Sequence, residues 1–197
     1  MEEEDYKALT VDEVYWIHRT LSMTMSLFES SGLTFWANGG TLLGAIRCGG
    51  IICWDDDADL AIREQDVDLL LHIAEKKFKW CRLQLVRPSS KYYKVKHLDY
   101  PDTWVDICII QENGEDLRKH KIKRKYLEDE IFPLRFVEFS SIRTPMPIPY
   151  KSEQYLDRVF PNWRTQVVIY NHKDNKKTKI TKPLTPELNK PYKYHYK

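Results

Sequence analysis

Apolar positions recur every three or four residues over 11–31, where Val14, Ile17, Leu21, Met25 and Phe28 form one stripe and predict an amphipathic helix. Thr10 and Glu13 have the spacing of a capping box at its start, and Gly32 stands where a left-handed residue closes a helix. The same period returns over 65–79, with Val67, Leu70, Leu71, Ile73, Ala74 and Phe78 predicted on the inner side, and again over 152–160. Elsewhere the apolar residues alternate or run together. Strands are predicted at 35–37, at 57–62, and at Arg82–Val86, Lys91–Lys96 and Thr103–Ile110. A basic helical segment is predicted at 116–127, followed by a hairpin of 131–139 with 142–148, which Pro133, Pro145 and Pro147 would hold to sheet edges. Helices and strands interleave irregularly, so the expected class is α+β or mixed α/β.

Composition narrows this picture. The 197 residues, 42% of them hydrophobic, suffice for one sizeable core with a small appendage. No run of 18 apolar residues occurs, and the acidic start Met1–Asp5 opens no apolar signal region, so a cytoplasmic protein without a transmembrane segment is expected. Cys48, Cys53, Cys81 and Cys108 lack zinc-site or redox spacing and are expected as reduced thiols. The net charge of +2 conceals an asymmetry: residues 171–197 carry +6 and the rest −4. One catalytic unit over 1–170 and a basic, Lys-rich tail over 171–197 are expected, the tail read first as a solvated terminus. No nucleic-acid module is recognisable, so no nucleic-acid partner is expected.

Glycine and aspartate usage point to chemistry. Six of seven glycines fall between positions 32 and 50. Asn38-Gly-Gly-Thr41 follows a predicted strand and opens a short helical segment ending at Arg47. Free N–H groups at such a start face anions, Gly39 and Gly40 admit a phosphate, Thr41 adds a hydroxyl, and Arg47 offers a planar fork or pairs with nearby acids. Then Asp55, Asp56, Asp57 and Asp59 lead into an apolar strand. On that strand Asp57 and Asp59 share one face, an arrangement costly without a cation between them. Mg²⁺ takes such oxygen ligands together with substrate phosphates. Asp106 is a lone acid inside the apolar strand 103–110, and so a third ligand or the partner of Lys94 or Lys96.

Gly39-Gly-Thr-Leu-Leu-Gly-Ala-Ile-Arg47 with Trp54-Asp-Asp-Asp-Ala-Asp-Leu60 resembles the LicD / fukutin-related family of the nucleotidyltransferase superfamily. The resemblance implies a nucleotidyltransferase-like central mixed sheet flanked by helices. It also implies catalytic and metal-binding roles for Asp57, Asp59 and Asp106, and donor binding by Gly39, Gly40, Thr41 and Arg47. The implied activity is Mg²⁺- or Mn²⁺-dependent transfer of a phospho-alcohol, such as phosphocholine or ribitol phosphate, from a CDP-linked donor to a glycan hydroxyl. The same three acids also serve a nucleotidyltransferase that moves a nucleoside monophosphate from an NTP. A non-catalytic nucleotide- or glycan-binding module is the third reading. The basic run Arg118–Lys125 is expected as a solvated helix face that also steers anions.

Overall fold

The computed structural model describes residues 8–117, 124–127, 129–140, 142–170 and 179–190. The capping box at Thr10 forms as predicted: the Glu13 N–H donates to Thr10 Oγ1 (3.2 Å) and the Thr10 N–H donates to Glu13 Oε2 (2.8 Å). It starts helix α1, Val11–Glu29, whose five stripe residues are all fully buried. Gly32 follows with φ +71°, a conformation glycine adopts without a Cβ penalty.

Five strands make the central mixed sheet, in the order β1 (Phe35–Ala37), β2 (Asp57–Arg63), β5 (Tyr100–Ile110), β4 (Tyr92–His97), β3 (Leu83–Ser89). Only β2 and β5 run parallel; the other neighbours are antiparallel. Side chains alternate across this sheet. Ala58, Leu60 and Ile62 share a face with Phe35, whose ring meets Phe28 of α1 edge-on, so α1 covers that side. Helix α3 (Val67–Lys77) packs against α1, burying Leu70 and Ile73. Leu71, predicted inward, is 42% exposed because it lies off this contact line.

The other face carries helix α2 (Gly39–Arg47) and, against α2, helix α4 (Ser152–Val159). A two-stranded sheet, β6 (Arg135–Phe139) with β7 (Ile142–Ile148), accommodates Pro145 and Pro147 on an edge strand as predicted. This is the expected mixed α/β arrangement, a central mixed sheet flanked by helices.

Two expectations change. The predicted helix at 116–127 does not form where the structure describes it: Asp116 bridges Ile110 in antiparallel fashion and the Tyr126 N–H donates to the Gly114 carbonyl. These pairings draw Tyr126 into the core against Trp36. Residues 118–123, most of the basic run, lie outside the described residues. The tail is not uniformly a solvated terminus either. Strand β9 (Lys179–Pro183) pairs with β8 (Gln166–Tyr170), a hairpin that straddles the boundary drawn from charge at residue 170. All four cysteines are free, and among the described residues no helix is long and apolar enough to cross a membrane.

Candidate active site

Parallel pairing sets Asp57 beside Trp104 and Asp59 beside Asp106, and antiparallel pairing sets Asp106 beside Lys94. Partners in register share a face, so the three acids lie together on the side of the sheet that α2 covers. Asp59 and Asp106 are buried, and Asp57 is half-buried. All three line a cavity of about 650 Å³ with Gly39, Gly40, Arg47 and Asp55, a size typical of small-molecule sites.

The glycine turn fits against the acids. The Gly40 N–H donates to Asp59 Oδ2 at 3.0 Å. A Cβ at Gly39, which has φ +51°, would lie 2.2 Å from Asp59 Oδ2, and one at Gly40 would lie 2.0 Å from Asp55 Oδ2. Close approach and backbone conformation both favour glycine at residue 39, and at residue 40 an added Cβ would displace the Asp55 carboxylate. Thr41 is placed differently from the expectation. Its side chain is buried, does not line the cavity, and accepts the Asp59 N–H at 2.7 Å. It fixes the start of α2 to β2. Asn38 caps α2 without a side-chain cap bond, because its amide is used elsewhere. Its Oδ1 accepts from the Tyr126 hydroxyl at 3.0 Å and its Nδ2 donates to Asp116 at 3.4 Å.

The electrostatics are those of crowded anions. Burial, followed by the charges of Asp59, Asp55, Asp106 and Asp56, holds the Asp57 carboxyl well above the ordinary carboxylate range. The Trp104 Nε1–H donates to Asp57 Oδ2 at 3.2 Å. Oxygens of Asp55, Asp56 and Asp57 lie within 4.8 Å of one another. An all-carboxylate set under mutual repulsion matches the donor preference of a hard divalent cation. Lys94 Nζ stands 3.5 Å from Asp106 Oδ1 and 3.6 Å from the Trp104 ring centre, so the predicted lysine contact is also present. Arg47 lies over the Trp54 ring at 5.9 Å, and its Nε has no hydrogen-bond partner among the described residues. Burial lowers the pKa of its guanidinium.

Residues not foreseen complete the cavity: Val159 to Trp163, Gln166, Val168 and Thr181; Arg124, from the basic run, lines it too. Trp104 was also missed as a partner of Asp57, although its place two residues before Asp106 puts it on the acid face. Of the two tyrosines on β4, Tyr92 lines the cavity and Tyr93 is buried in the core.

The LicD/FKTN/FKRP nucleotidyltransferase domain matches residues 32–148. An uncharacterized protein of Rickettsia typhi is 29% identical over 195 residues; the match covers 89% of this chain, which spans 57% of that protein. Human ribitol 5-phosphate transferase FKRP is 43% identical over 51 residues, 26% of this chain and 10% of that protein. The crystal structure of ANT(2")-Ia in complex with adenylyl-2"-tobramycin aligns at 17% identity and a TM-score of 0.44, over 76% of this chain and 79% of that one. The domain match spans more than half of the chain and includes the glycine turn and all three acids, so the chain belongs to the LicD/FKTN/FKRP family by its nucleotidyltransferase domain.

Proposed function

We propose that this chain transfers a phospho-alcohol, of the phosphocholine or ribitol-phosphate kind, from a CDP-linked donor to a glycan hydroxyl. The observation that carries the reading is the meeting of Asp57, Asp59 and Asp106 beside the Gly39-Gly40 turn in one cavity. Asp57, Asp59 and Asp106 would hold Mg²⁺ or Mn²⁺, with Asp55 and Asp56 adding negative charge at the cavity mouth. A bound divalent ion supplies charge neutralisation for the diphosphate.

The chain's own groups do the rest by position. Gly39 and Gly40, lacking Cβ atoms, let the Asp59 and Asp55 carboxylates lie directly against the turn. The Gly40 N–H is engaged by Asp59, so the turn orients that acid. Thr41 keeps Asp59 in register. Arg47 offers its guanidinium to a phosphate oxygen. The acceptor oxygen forms a bond to the phosphorus bearing the alcohol, the bond from that phosphorus to the bridging oxygen breaks, and CMP leaves. The acceptor's proton passes to a carboxylate of the cluster. Asp106 serves either as that base or as a metal ligand, and a pH–rate profile of Asp106→Asn separates the two.

The test is product analysis. Wild-type protein with Mg²⁺ is incubated with CDP-choline, CDP-ribitol or CDP-glycerol and a glycan panel, and separately with CTP or ATP. CMP release coupled to a phospho-alcohol-modified glycan, lost in Asp57→Ala and Asp59→Ala, is the expected result. Pyrophosphate release from an NTP would replace this reading with nucleotidyl transfer. Ligand retention without turnover would make the chain a binding module.

A further inference from the structure

The cavity extends well beyond its acids. Gly40, Leu43 and Arg47 follow at spacings of three and four along α2 and all line it. At 1.5 Å of rise per residue this wall runs about 10 Å away from the acid end, toward Ile52 and Trp54. Another wall comes from the end of α4 and the segment after it: Val159, Phe160 and Trp163, with Val168 and its cross-strand partner Thr181. None of these residues lies in the stretch 32–148 that defines the family domain. This second wall thus comes from a different stretch of the chain than the acids.

The chemistry of this second part is apolar and aromatic surface with two carboxamides, Asn162 and Gln166, both exposed beside it. An aromatic wall stacks on a planar ring, and a carboxamide presents a donor and an acceptor together, as the edge of a pyrimidine base does. The Arg124 guanidinium lies over the Phe160 ring at 5.5 Å and, like Arg47, lines the cavity. Two guanidiniums disfavour a cationic alcohol at this end and tolerate an uncharged ring carried on phosphates.

We infer that the wall formed by Val159, Phe160, Trp163 and Val168 takes the nucleobase of the donor, with Gln166 and Asn162 meeting its polar edge. This rests on the CDP-linked reading above and adds to it where the base sits. Selection among nucleotides therefore resides in the C-terminal segment, outside the glycine turn and the acids.

The probe is CMP, titrated by calorimetry in Mg²⁺ against wild type, Phe160→Ala and Gln166→Ala. Mn²⁺ affinity, read from the paramagnetic signal of the ion, serves as a control on the acid end. Loss of a stacking ring is expected to weaken CMP about 5- to 150-fold, and loss of one neutral edge contact about 2- to 12-fold. Mn²⁺ affinity stays at the wild-type value in both. Gln166 is exposed, so its variant remains informative if Phe160→Ala fails to fold. Wild-type CMP affinity in both variants would overturn the assignment while leaving the donor reading intact. A rise in the glycan KM alone would give the wall to the acceptor and also overturn it. If wild type binds neither CMP nor any CDP-alcohol with Mg²⁺, the donor reading itself falls and takes this inference with it.

Discussion

A methyl group at residue 40 would lie 2.0 Å from Asp55 Oδ2, and the carboxylate, at the end of a short side chain, must turn away. Gly40→Ala is therefore expected to change stability by less than about 1 kcal/mol, because alanine suits a helix better than glycine. Its Mn²⁺ affinity should drop clearly, which paired urea denaturation and Mn²⁺ titration would reveal. The crowding that raises the Asp57 pKa makes a second forecast. Asp57→Asn removes a charge the fold disfavours, so without divalent ions its Tm should exceed that of wild type, and Mg²⁺ should no longer raise it. A lower metal-free Tm would contradict the account of repulsion. His18 makes a third forecast. It is buried on α1 with neither ring nitrogen hydrogen-bonded among the described residues, and burial lowers its pKa to about 4. The unfolded chain takes up this proton near 6.5 and the folded chain only near 4. Stability is therefore complete above 6.5 and declines as pH falls toward 4, by on the order of 3 kcal/mol. Chemical denaturation between pH 7 and pH 4 should show that slope, and His18→Leu should flatten it.

Among the elements, α2 is the most constrained. A Cβ at Gly44 would come within 2.2 Å of the Gly50 carbonyl oxygen, which is backbone and cannot swing aside. Gly44→Ala should cost about 1–3 kcal/mol, as overpacking does, with an unchanged m-value in urea. Elements whose signal is local were legible. The stripe and capping box located α1, and alternation located β2 and β5 with their acids on one face. Elements whose signal is long-range were not. Lysine-rich composition concealed the alternation of β9, which becomes a strand because β8 offers it a ladder. Residues 116–127 carry helix-like composition, yet Asp116 pairs with Ile110 and Tyr126 is buried. Nothing local around Thr41 reveals that its hydroxyl meets an amide 18 residues later.

At the scale of the whole molecule, a contact between the family domain and the C-terminal segment reaches the glycine turn. Tyr155 of α4 stacks on Tyr126 with ring centres 4.0 Å apart, and the Tyr126 hydroxyl holds Asn38 immediately before the glycine turn. The geometry of the turn thus depends on residues more than 80 positions away. Tyr126→Phe leaves Asn38 Oδ1 short of its 3.0 Å partner and should cost about 1–3 kcal/mol, the penalty for an under-satisfied buried acceptor. The acids and the glycines of the site were readable because each sits in a short motif. Phe160 and Trp163 were not, because only packing of α4 on α2 brings their part of the chain to the cavity.

The central claim is that the acid cluster and glycine turn take a CDP-linked alcohol in a divalent-dependent manner. Thermal unfolding with CDP-choline, CDP-ribitol, CDP-glycerol, CTP and ATP, each with and without Mg²⁺, tests it most directly. A ligand at a hundred times its Kd adds about 2.7 kcal/mol, which for a chain of this length is a rise of roughly 5–11 °C. The account predicts such a rise for a CDP-linked alcohol only with Mg²⁺ present, and its absence in Asp57→Ala. A shift confined to NTPs, or a CDP-alcohol shift of equal size without Mg²⁺ and in Asp57→Ala, would contradict it.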